Sequence, residues 1–373
     1  RRARFRFWCL RVCGFESRFA HMSGPAIRVL TADLGAATGW DPVTIAARVL
    51  ARLLRAELVA VPARRQGAGW QRVAAALPRR RGAEVTIIVA PQPVHLYALI
   101  EVAHWLPGSS LVAGWVIDAF WTERIPRLVR HTGHIDQLFV TDEEVVATWS
   151  AATGVPTAWV PFGADVLGRA CPQAARGVDL QRIGRQPAPW DDDAVNEARC
   201  RSLGLSYAGR PAFVPEVDGN QRSVEAAMAN ARFTLSFTNA ASPAEYTHPT
   251  REYLTGRWTD ALAQGATVAG IAPRCAATDR LLWPEALLDL GTTDPAEGLA
   301  LIGEAVRTWT PERAAYNHRQ ALARLDWRWR FAEMVAALGL AAPLLDEELG
   351  QLEFRLDALG VFGTVASRFC DAG

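Results

Sequence analysis

The stretch from Thr255 to Asp260 combines residue types that could bind an anion at the start of a helix. Thr255 and Gly256 precede a helix-length stretch that ends at Gly265, and the first N–H groups of a helix have no intrahelical partner. Arg257 adds a forked donor that suits phosphate oxygens. Asp260 follows three residues later on the same helix face, where its carboxylate could accept hydrogen bonds from paired hydroxyl groups. The segment therefore predicts an anion-binding site.

The elements that must position this segment alternate between short apolar runs and amphipathic stretches of helix length. Runs such as residues 85–90 and 111–118 are nearly continuous in apolar residues, which is typical of buried parallel strands. A Pro/Gly loop at residues 161–165 interrupts the pattern, and the alternation then restarts. We therefore expect an α/β protein with two Rossmann-like, doubly wound parallel-sheet domains that face each other across a cleft. Ligands of such sheets bind at the carboxyl ends of the strands.

Two acidic residues flank the anion-binding segment. Glu252 and Asp260 are separated by seven residues, and Asp260 is followed by the sequence Ala-Leu-Ala-Gln-Gly and an apolar run. This pattern resembles the nucleotide-sugar site of GT-B glycosyltransferases, and the Gly256-Arg257 pair is similar to that of the spore-maturation-type branch (group 1). Asp260 stands where the family usually has Glu, and residues 253–255 replace the Gly-rich loop of many members.

The resemblance implies a role for each residue of the second domain that carries it. Asp260 would bind the ribose hydroxyls of the donor, the turn at residues 255–257 its diphosphate, and Glu252 would face the donor sugar. Arg185 follows Gly184 in a pair that resembles the Gly-Arg after the first strand of the second domain in these enzymes. There it would neutralise the diphosphate as the glycosidic bond breaks.

In the first domain, His95 and Asp118 follow predicted strands. Related enzymes often have a His or Asp beside the acceptor, where an inverting enzyme needs a general base, and Asp118 is the better placed of the two. Packing or helix capping is the alternative role for each. The corresponding alternative for Arg257 and Asp260 is that they only pair with each other on a solvated helix face.

The predicted domain organisation follows from the two halves. Residues 22–165 would form the acceptor domain, residues 166–345 the nucleotide-sugar-binding domain, and residues 346–373 a C-terminal tail. Residues 1–21 precede the first Met, Met22, and lack the apolar core of a signal peptide. We expect them to be a disordered leader that is foreign to the native protein.

The predicted function is transfer of a sugar from a nucleotide-diphosphate-sugar donor to a glycan, a lipid-linked or a protein acceptor. A non-catalytic sugar- or nucleotide-binding protein of the same fold is the alternative, because Asp260 replaces Glu and the Lys often found near Arg185 is missing. A nucleotide-sugar epimerase is a further alternative, but it should carry more catalytic acids and histidines in both halves. A dehydrogenase is disfavoured, because no G-x-G-x-x-G motif follows the first strand.

Composition excludes several other classes. All 40 basic residues are Arg, so Schiff-base chemistry, pyridoxal-phosphate anchoring and a P-loop lysine are ruled out. The net charge of +1 argues against a nucleic-acid partner and allows at most peripheral association with a membrane. The six Cys residues form no C-x-x-C pair, and a reducing cytoplasm is the expected compartment. We expect no metal and no other cofactor, because a helix dipole with Arg can carry the diphosphate charge.

Overall fold

The computed structural model describes residues 26–35, 39–62, 82–96, 98–100, 108–126 and 134–359. The expected leader at residues 1–21 and the end of the expected tail, residues 360–373, lie outside this part. The first half contains a six-stranded parallel sheet with the strand order β2-β1-β3-β4-β5-β6. Its strands are β1 (Ile27–Asp33), β2 (Glu57–Pro62), β3 (Glu84–Ala90), β4 (Ser109–Val116), β5 (Gln137–Val140) and β6 (Thr157–Trp159).

The second half contains a five-stranded parallel sheet with the order β11-β10-β9-β7-β8. Its strands are β7 (Val178–Arg182), β8 (Tyr207–Ala208), β9 (Ala231–Phe237), β10 (Thr267–Ile271) and β11 (Leu287–Asp289). Central strands such as β3 and β9 are buried along nearly their whole length, as the apolar runs predict. The predicted fold class of two Rossmann-like parallel-sheet halves is confirmed.

Helices cover the sheets and begin at residues whose side chains favour a helix start. Asp41 opens its helix with Pro42 in the first turn, where the missing N–H of proline has no cost. Asp294 caps another helix, because its Oδ1 accepts the N–H groups of Ala296 (2.8 Å) and Glu297 (3.1 Å). The α-helices that lie wholly within the described residues are α1 (Asp41–Leu53), α2 (Val146–Thr153), α3 (Val166–Arg169), α4 (Asp193–Ser202), α5 (Val217–Ala229), α6 (Gly256–Ala263), α7 (Ala276–Leu281), α8 (Pro295–Arg307), α9 (Pro311–Arg324), α10 (Trp327–Leu338) and α11 (Pro343–Ala358).

Two chain segments cross between the halves at residues 163–165 and 325–328. The backbone of Ala164 pairs with that of Asp326. A Cβ atom on Gly163 would lie 2.2 Å from the carbonyl oxygen of Leu325, so only glycine allows this close approach. The Pro/Gly loop that the sequence places between the halves is therefore held against a second crossing segment.

The second crossing returns the chain to the first half. Trp327 and Phe331 of α10 lie in the apolar core around the first sheet, and Phe331 meets Trp115 edge to face with ring centroids 6.1 Å apart. At the crossing, the buried Arg328 pairs with Asp165 (2.7 Å) and Asp326 (3.1 Å). The sequence places residues up to 345 with the second half, but the apolar face of α10 packs on the first sheet. Among the described residues, no helix has the length and apolar character needed to cross a membrane.

Candidate active site

A cavity of about 590 Å³ lies between the two sheets, where the parallel strands of both halves end. The first half contributes residues that follow β1, β3, β4 and β5, and the second half residues that follow β7, β8 and β9. Open α/β sheets bind their ligands at this position. Six of the eight predicted site residues line the cavity: Asp118, Arg185, Thr255, Gly256, Arg257 and Asp260.

The second half presents the N-terminus of α6 to this cavity. Trp258 is buried in the apolar core and anchors the helix, and the Thr259 hydroxyl donates to the carbonyl oxygen of Gly163 (3.0 Å). Thr255 precedes the helix with extended backbone, and its buried Oγ1 atom has no hydrogen-bond partner within the described residues. This hydroxyl and the first N–H groups of α6 are therefore donors available to an anionic ligand.

Two guanidinium groups, those of Arg185 and Arg257, lie beside this helix start. Arg257 Nη1 donates to the carbonyl oxygen of Arg185 (2.7 Å), and Arg185 Nε donates to the Ser242 hydroxyl (3.0 Å). In the part of the chain that the structure describes, neither arginine forms an ion pair with a carboxylate. Burial and the charge of Arg185 lower the pKa of Arg257 to about 10. An anion bound between them would relieve this repulsion.

The approach of Arg257 to the β7 loop depends on a glycine. Gly184 has φ +65°, a left-handed conformation that side chains disfavour. A Cβ atom there would also lie 2.9 Å from Arg257 Cδ. The Gly184-Arg185 sequence therefore both turns the chain and makes room for the second arginine.

Asp260 lies one turn into α6 and is 8% exposed. Its Oδ2 atom accepts a hydrogen bond from Gln221 Nε2 of α5 (2.9 Å). Burial, followed by the charge of Glu225, raises the pKa of Asp260 to about 7. The side chain does not pair with Arg257, so the interpretation of these two residues as a solvated surface pair does not describe their contacts.

Asp118 faces the cavity from the first half, two residues after β4. Its backbone N–H donates to the Pro91 carbonyl (2.8 Å), and Gln92 Nε2 lies 3.4 Å from its Oδ2 atom. Burial raises the pKa of Asp118 to about 7, against the opposing effects of Gln92 and Arg124. A carboxyl group with this pKa is suited to proton transfer near neutral pH.

This chain is similar to known proteins in structure but matches no family model or curated protein in sequence. No protein-family model matches the sequence, and a search of curated proteins gave no match. An alpha-glucosyltransferase in complex with UDP and a 13-mer DNA is similar in structure, with a TM-score of 0.52 and 10% identity over 85% of this chain and 100% of its own. The chain has the GT-B fold.

Two examples of further similar solved structures are covered over nearly their whole length. One is Anabaena Alr3699/HepE in complex with UDP-glucose, with a TM-score of 0.49 and 11% identity over 84% of this chain and 99% of its own. The other is a glycosyltransferase from Rickettsia africae ESF-5, with a TM-score of 0.49 and 7% identity over 84% of this chain and 97% of its own. The GT-B fold rests on the alpha-glucosyltransferase, whose TM-score is above 0.5, and at 10% identity this similarity shows the fold alone.

The two remaining predicted residues of this GT-B fold lie outside the larger cavity. His95 is the first residue of a helical stretch that follows the turn after β3, and its Nδ1 atom accepts the backbone N–H of Gln92 (3.2 Å). Glu252 accepts a hydrogen bond from the Thr238 hydroxyl (2.5 Å), and the backbone N–H of Arg274 lies 3.4 Å from the same oxygen. The expected position of Glu252 facing the donor sugar therefore has no counterpart among the residues that line the larger cavity.

Glu252 instead lines a second cavity of about 230 Å³. This smaller cavity also lies between the halves, and two residues, Phe120 and Asp142, line both cavities. The halves touch here: Phe120 stacks on Tyr253 with ring centroids 3.7 Å apart, and Arg251 Nη1 donates to the Phe120 carbonyl and to the Thr122 hydroxyl (2.8 Å). The contact holds the strand ends of the first sheet against the loop that precedes α6.

Most residues of the larger cavity were not identified from the sequence, and three polar ones show why. Asp142 follows β5 as Asp118 follows β4, so the rule that selected Asp118 could have found it. Arg210 donates to the Gly184 carbonyl (3.2 Å) from an irregular loop, and no local pattern indicates its position. Gln221 lies on α5, and only the tertiary packing of α5 against α6 brings it to Asp260.

Among the described residues, no group of three or more His, Cys, Asp or Glu side chains is arranged to hold a metal ion. The cationic groups that face the cavity from the second half are arginines and the start of α6.

Proposed function

We propose that this protein transfers a sugar from a nucleoside-diphosphate sugar to a hydroxyl group of an acceptor. One observation carries the proposal: Arg185 and Arg257 lie beside the N-terminus of α6 without carboxylate partners among the described residues, and Asp118 lines the same cavity from the opposite half. Two cations and a helix start suit a diphosphate. A carboxyl group across the cleft suits removal of a proton from an acceptor.

The second half would bind the donor. The diphosphate would accept hydrogen bonds from Arg185, Arg257, the Thr255 hydroxyl and the backbone N–H groups of Gly256 and its neighbour. These groups would also stabilise the charge that develops on the diphosphate as the glycosidic bond breaks. Since this charge is met by arginines and a helix dipole, we propose that catalysis needs no metal ion.

The nucleoside would lie beside Asp260. Gln221 occupies one carboxylate oxygen of Asp260, which leaves the other oxygen for the ribose hydroxyls. The alpha-glucosyltransferase of the same fold is in complex with UDP, which supports a nucleoside diphosphate as the ligand of this edge.

The first half would bind the acceptor, with Asp118 as the general base. His95 is the weaker candidate for this role, because it does not line the larger cavity. The acceptor would be a glycan, a lipid-linked or a protein hydroxyl rather than a nucleic acid, because the net charge is only +1. We place the enzyme in the cytoplasm on the absence of paired cysteine motifs from the sequence.

The test is turnover of a panel of UDP-, GDP-, ADP-, CDP- and dTDP-sugars, followed as nucleoside diphosphate released, with EDTA and with manganese. We expect release from the sugars of one nucleoside, unchanged by EDTA and lost in Arg257→Ala. Nucleotide binding without release would favour a binding protein. Change of the sugar with the nucleotide still attached would favour an epimerase, and loss of activity in EDTA with recovery in manganese would contradict metal independence.

A further inference from the structure

Asp142 occupies the same position after its strand as Asp118 does after the neighbouring strand. β4 and β5 are paired in parallel with Val116 opposite Val140, and each aspartate follows two residues after this pair. The Thr141 hydroxyl donates to the Ile117 carbonyl, so the segments stay together beyond the sheet. Neighbouring strands lie about 4.8 Å apart, and the two carboxyl groups are therefore neighbours at one edge.

Burial leaves one oxygen of the Asp142 side chain without a hydrogen-bond partner among the described residues. Asp142 is 7% exposed and stands before a short 3-10 helix, yet its side chain makes no capping hydrogen bond. Its Oδ2 atom has no hydrogen-bond partner within the described residues. A buried carboxyl oxygen without a partner is costly, which indicates that a ligand supplies the missing hydrogen bond.

The groups around Asp142 raise the pKa of its carboxyl group above the usual value. Burial, followed by the charges of Glu144 and Asp118, raises the pKa of Asp142 to about 8, while Arg251 and the backbone of Phe120 oppose the rise. The charge of Asp118 contributes to this rise, so ionisation of one of the two carboxyl groups opposes ionisation of the other.

Asp142 lines the smaller cavity as well as the larger one. The lining of the smaller cavity suits a hydroxyl-rich group. Charged side chains line it from both halves, among them Glu144 and Asp142 from the first and Glu252 and Arg274 from the second. Arg274 is exposed at its edge. Charged groups of both signs match the donors and acceptors of hydroxyl groups, and a cavity of about 230 Å³ has room for a single ring.

We propose that Asp142 and the smaller cavity form the acceptor subsite, which takes a polyhydroxylated ring and orients one of its hydroxyl groups toward Asp118. This inference rests on the proposed function. In the transfer step the acceptor O–H bond breaks and its proton passes to the Asp118 carboxylate. The acceptor oxygen forms a bond to the anomeric carbon, whose bond to the diphosphate breaks, and that electron pair leaves with the diphosphate. Asp142 hydrogen-bonds a second hydroxyl of the ring through Oδ2.

The experiment uses methyl glycosides of glucose, galactose, mannose and N-acetylglucosamine as acceptor probes, with the nucleoside diphosphate that the donor panel identifies. Saturation-transfer NMR measures binding of the probes to the nucleotide-saturated protein. The variants are Asp142→Ala and Arg274→Ala, and the matched control is Asp289→Ala, since Asp289 lies on β11 and lines neither cavity. Arg274→Ala alters an exposed side chain and serves if Asp142→Ala fails to fold.

We expect one probe to bind the wild-type protein, and its affinity to fall at least about tenfold in Asp142→Ala, because the side chain that hydrogen-bonds the ring is removed. Arg274→Ala should weaken probe binding, and Asp289→Ala should not. The melting-temperature shift caused by the nucleotide should persist in all three variants. Unchanged probe binding in both cavity variants, or no probe binding to the wild type, would overturn the inference. Absence of any nucleotide shift in the wild type would instead remove the proposed function on which it rests.

Discussion

The two halves present chemically opposite edges to one cleft. The second sheet ends in fixed positive charge, with Arg185 and Arg257 beside the start of α6. The first sheet ends in two buried carboxyl groups, Asp118 and Asp142, whose pKa values burial raises to about 7 and about 8. Arginine stays charged over this pH range, whereas such carboxyls exchange protons near neutral pH. One edge therefore suits the binding of an anion, and the other suits the movement of a proton.

Contacts within the second half hold the arginine edge in place, and other contacts hold the two halves together. The arginine edge is fixed within its own half, because Gly184 and Ser242 position the two guanidinium groups. Across the cleft, the halves meet through the Phe120–Tyr253 stack and through a buried hydrogen bond from Asn220 Nδ2 to Asp41 Oδ2 (2.7 Å). The positions of the two edges relative to each other depend on such contacts.

The largest effect should come from removing the base at the carboxyl edge. Asp118→Asn should lower turnover by about 10²–10⁴-fold, because an amide cannot take the acceptor proton. Nucleotide affinity should not change, since the donor binds at the other edge. Initial rates and nucleotide titrations measure both quantities. The control is His95→Asn, expected to retain most activity; a larger loss there than in Asp118→Asn would reverse the assignment.

Removing one cation from the opposite edge should affect binding. Arg185→Ala should weaken nucleoside-diphosphate binding by about 10–100-fold, because one charge-assisted hydrogen-bonding group is lost. Calorimetric titration gives the affinity. Arg201→Ala, on the exposed face of α4, is the matched arginine control and should bind as the wild type does. Equal affinities in Arg185→Ala and the control would show that this edge is not the anion site.

The pH dependence of the rate tests the role of the carboxyl edge. Asp118 acts only when ionised, so kcat/KM should fall as the pH drops through about 7. At pH 6 the loss should be about tenfold, since each pH unit below the pKa reduces the ionised fraction tenfold. The rates are measured at saturating donor, because Asp260 in the proposed donor site also has a pKa of about 7. A flat rate profile, or one that rises toward acid, would contradict the role of Asp118.

The smallest effect concerns the contact that aligns the edges. Asn220→Ala leaves the buried Asp41 carboxylate without this partner and should lower stability by about 1–3 kcal/mol, or several degrees in melting temperature. Asp218→Ala is the control, since its half-exposed ion pairs with Arg48 and Arg169 should be worth at most about 1 kcal/mol. Similar losses of stability in both variants would show that the buried hydrogen bond contributes no more than the half-exposed ion pairs do.

The sequence predicted the fold because the information was local. Apolar runs such as that of β3 and the Gly265 stop after α6 depend on neighbouring residues, and they indicated two parallel sheets. Arg257 and Asp260 lie on one short helix, so their joint position at a cavity could also be predicted.

Other features depend on residues far apart in the chain. Gln221 reaches Asp260 only through helix packing, and Glu252 is drawn toward Thr238 and the smaller cavity. The return of α10 to the first half depends on the fit of Phe331 against Trp115. Asp142 differs from these residues. Its position after a predicted strand could be read from the sequence, but its lack of a capping hydrogen bond could not.

The most direct test of the account is nucleotide binding at the arginine edge. The melting temperature is measured with UDP, GDP, ADP, CDP and dTDP for the wild type, Arg257→Ala and Asp260→Ala. A ligand at about 100 times its Kd stabilises a protein by roughly 2.7 kcal/mol, which is several degrees. We predict a shift with one nucleotide that is lost in both variants. Shifts of equal size in wild type and variants, or no shift with any of the five, would contradict the assignment of this edge to a nucleoside diphosphate.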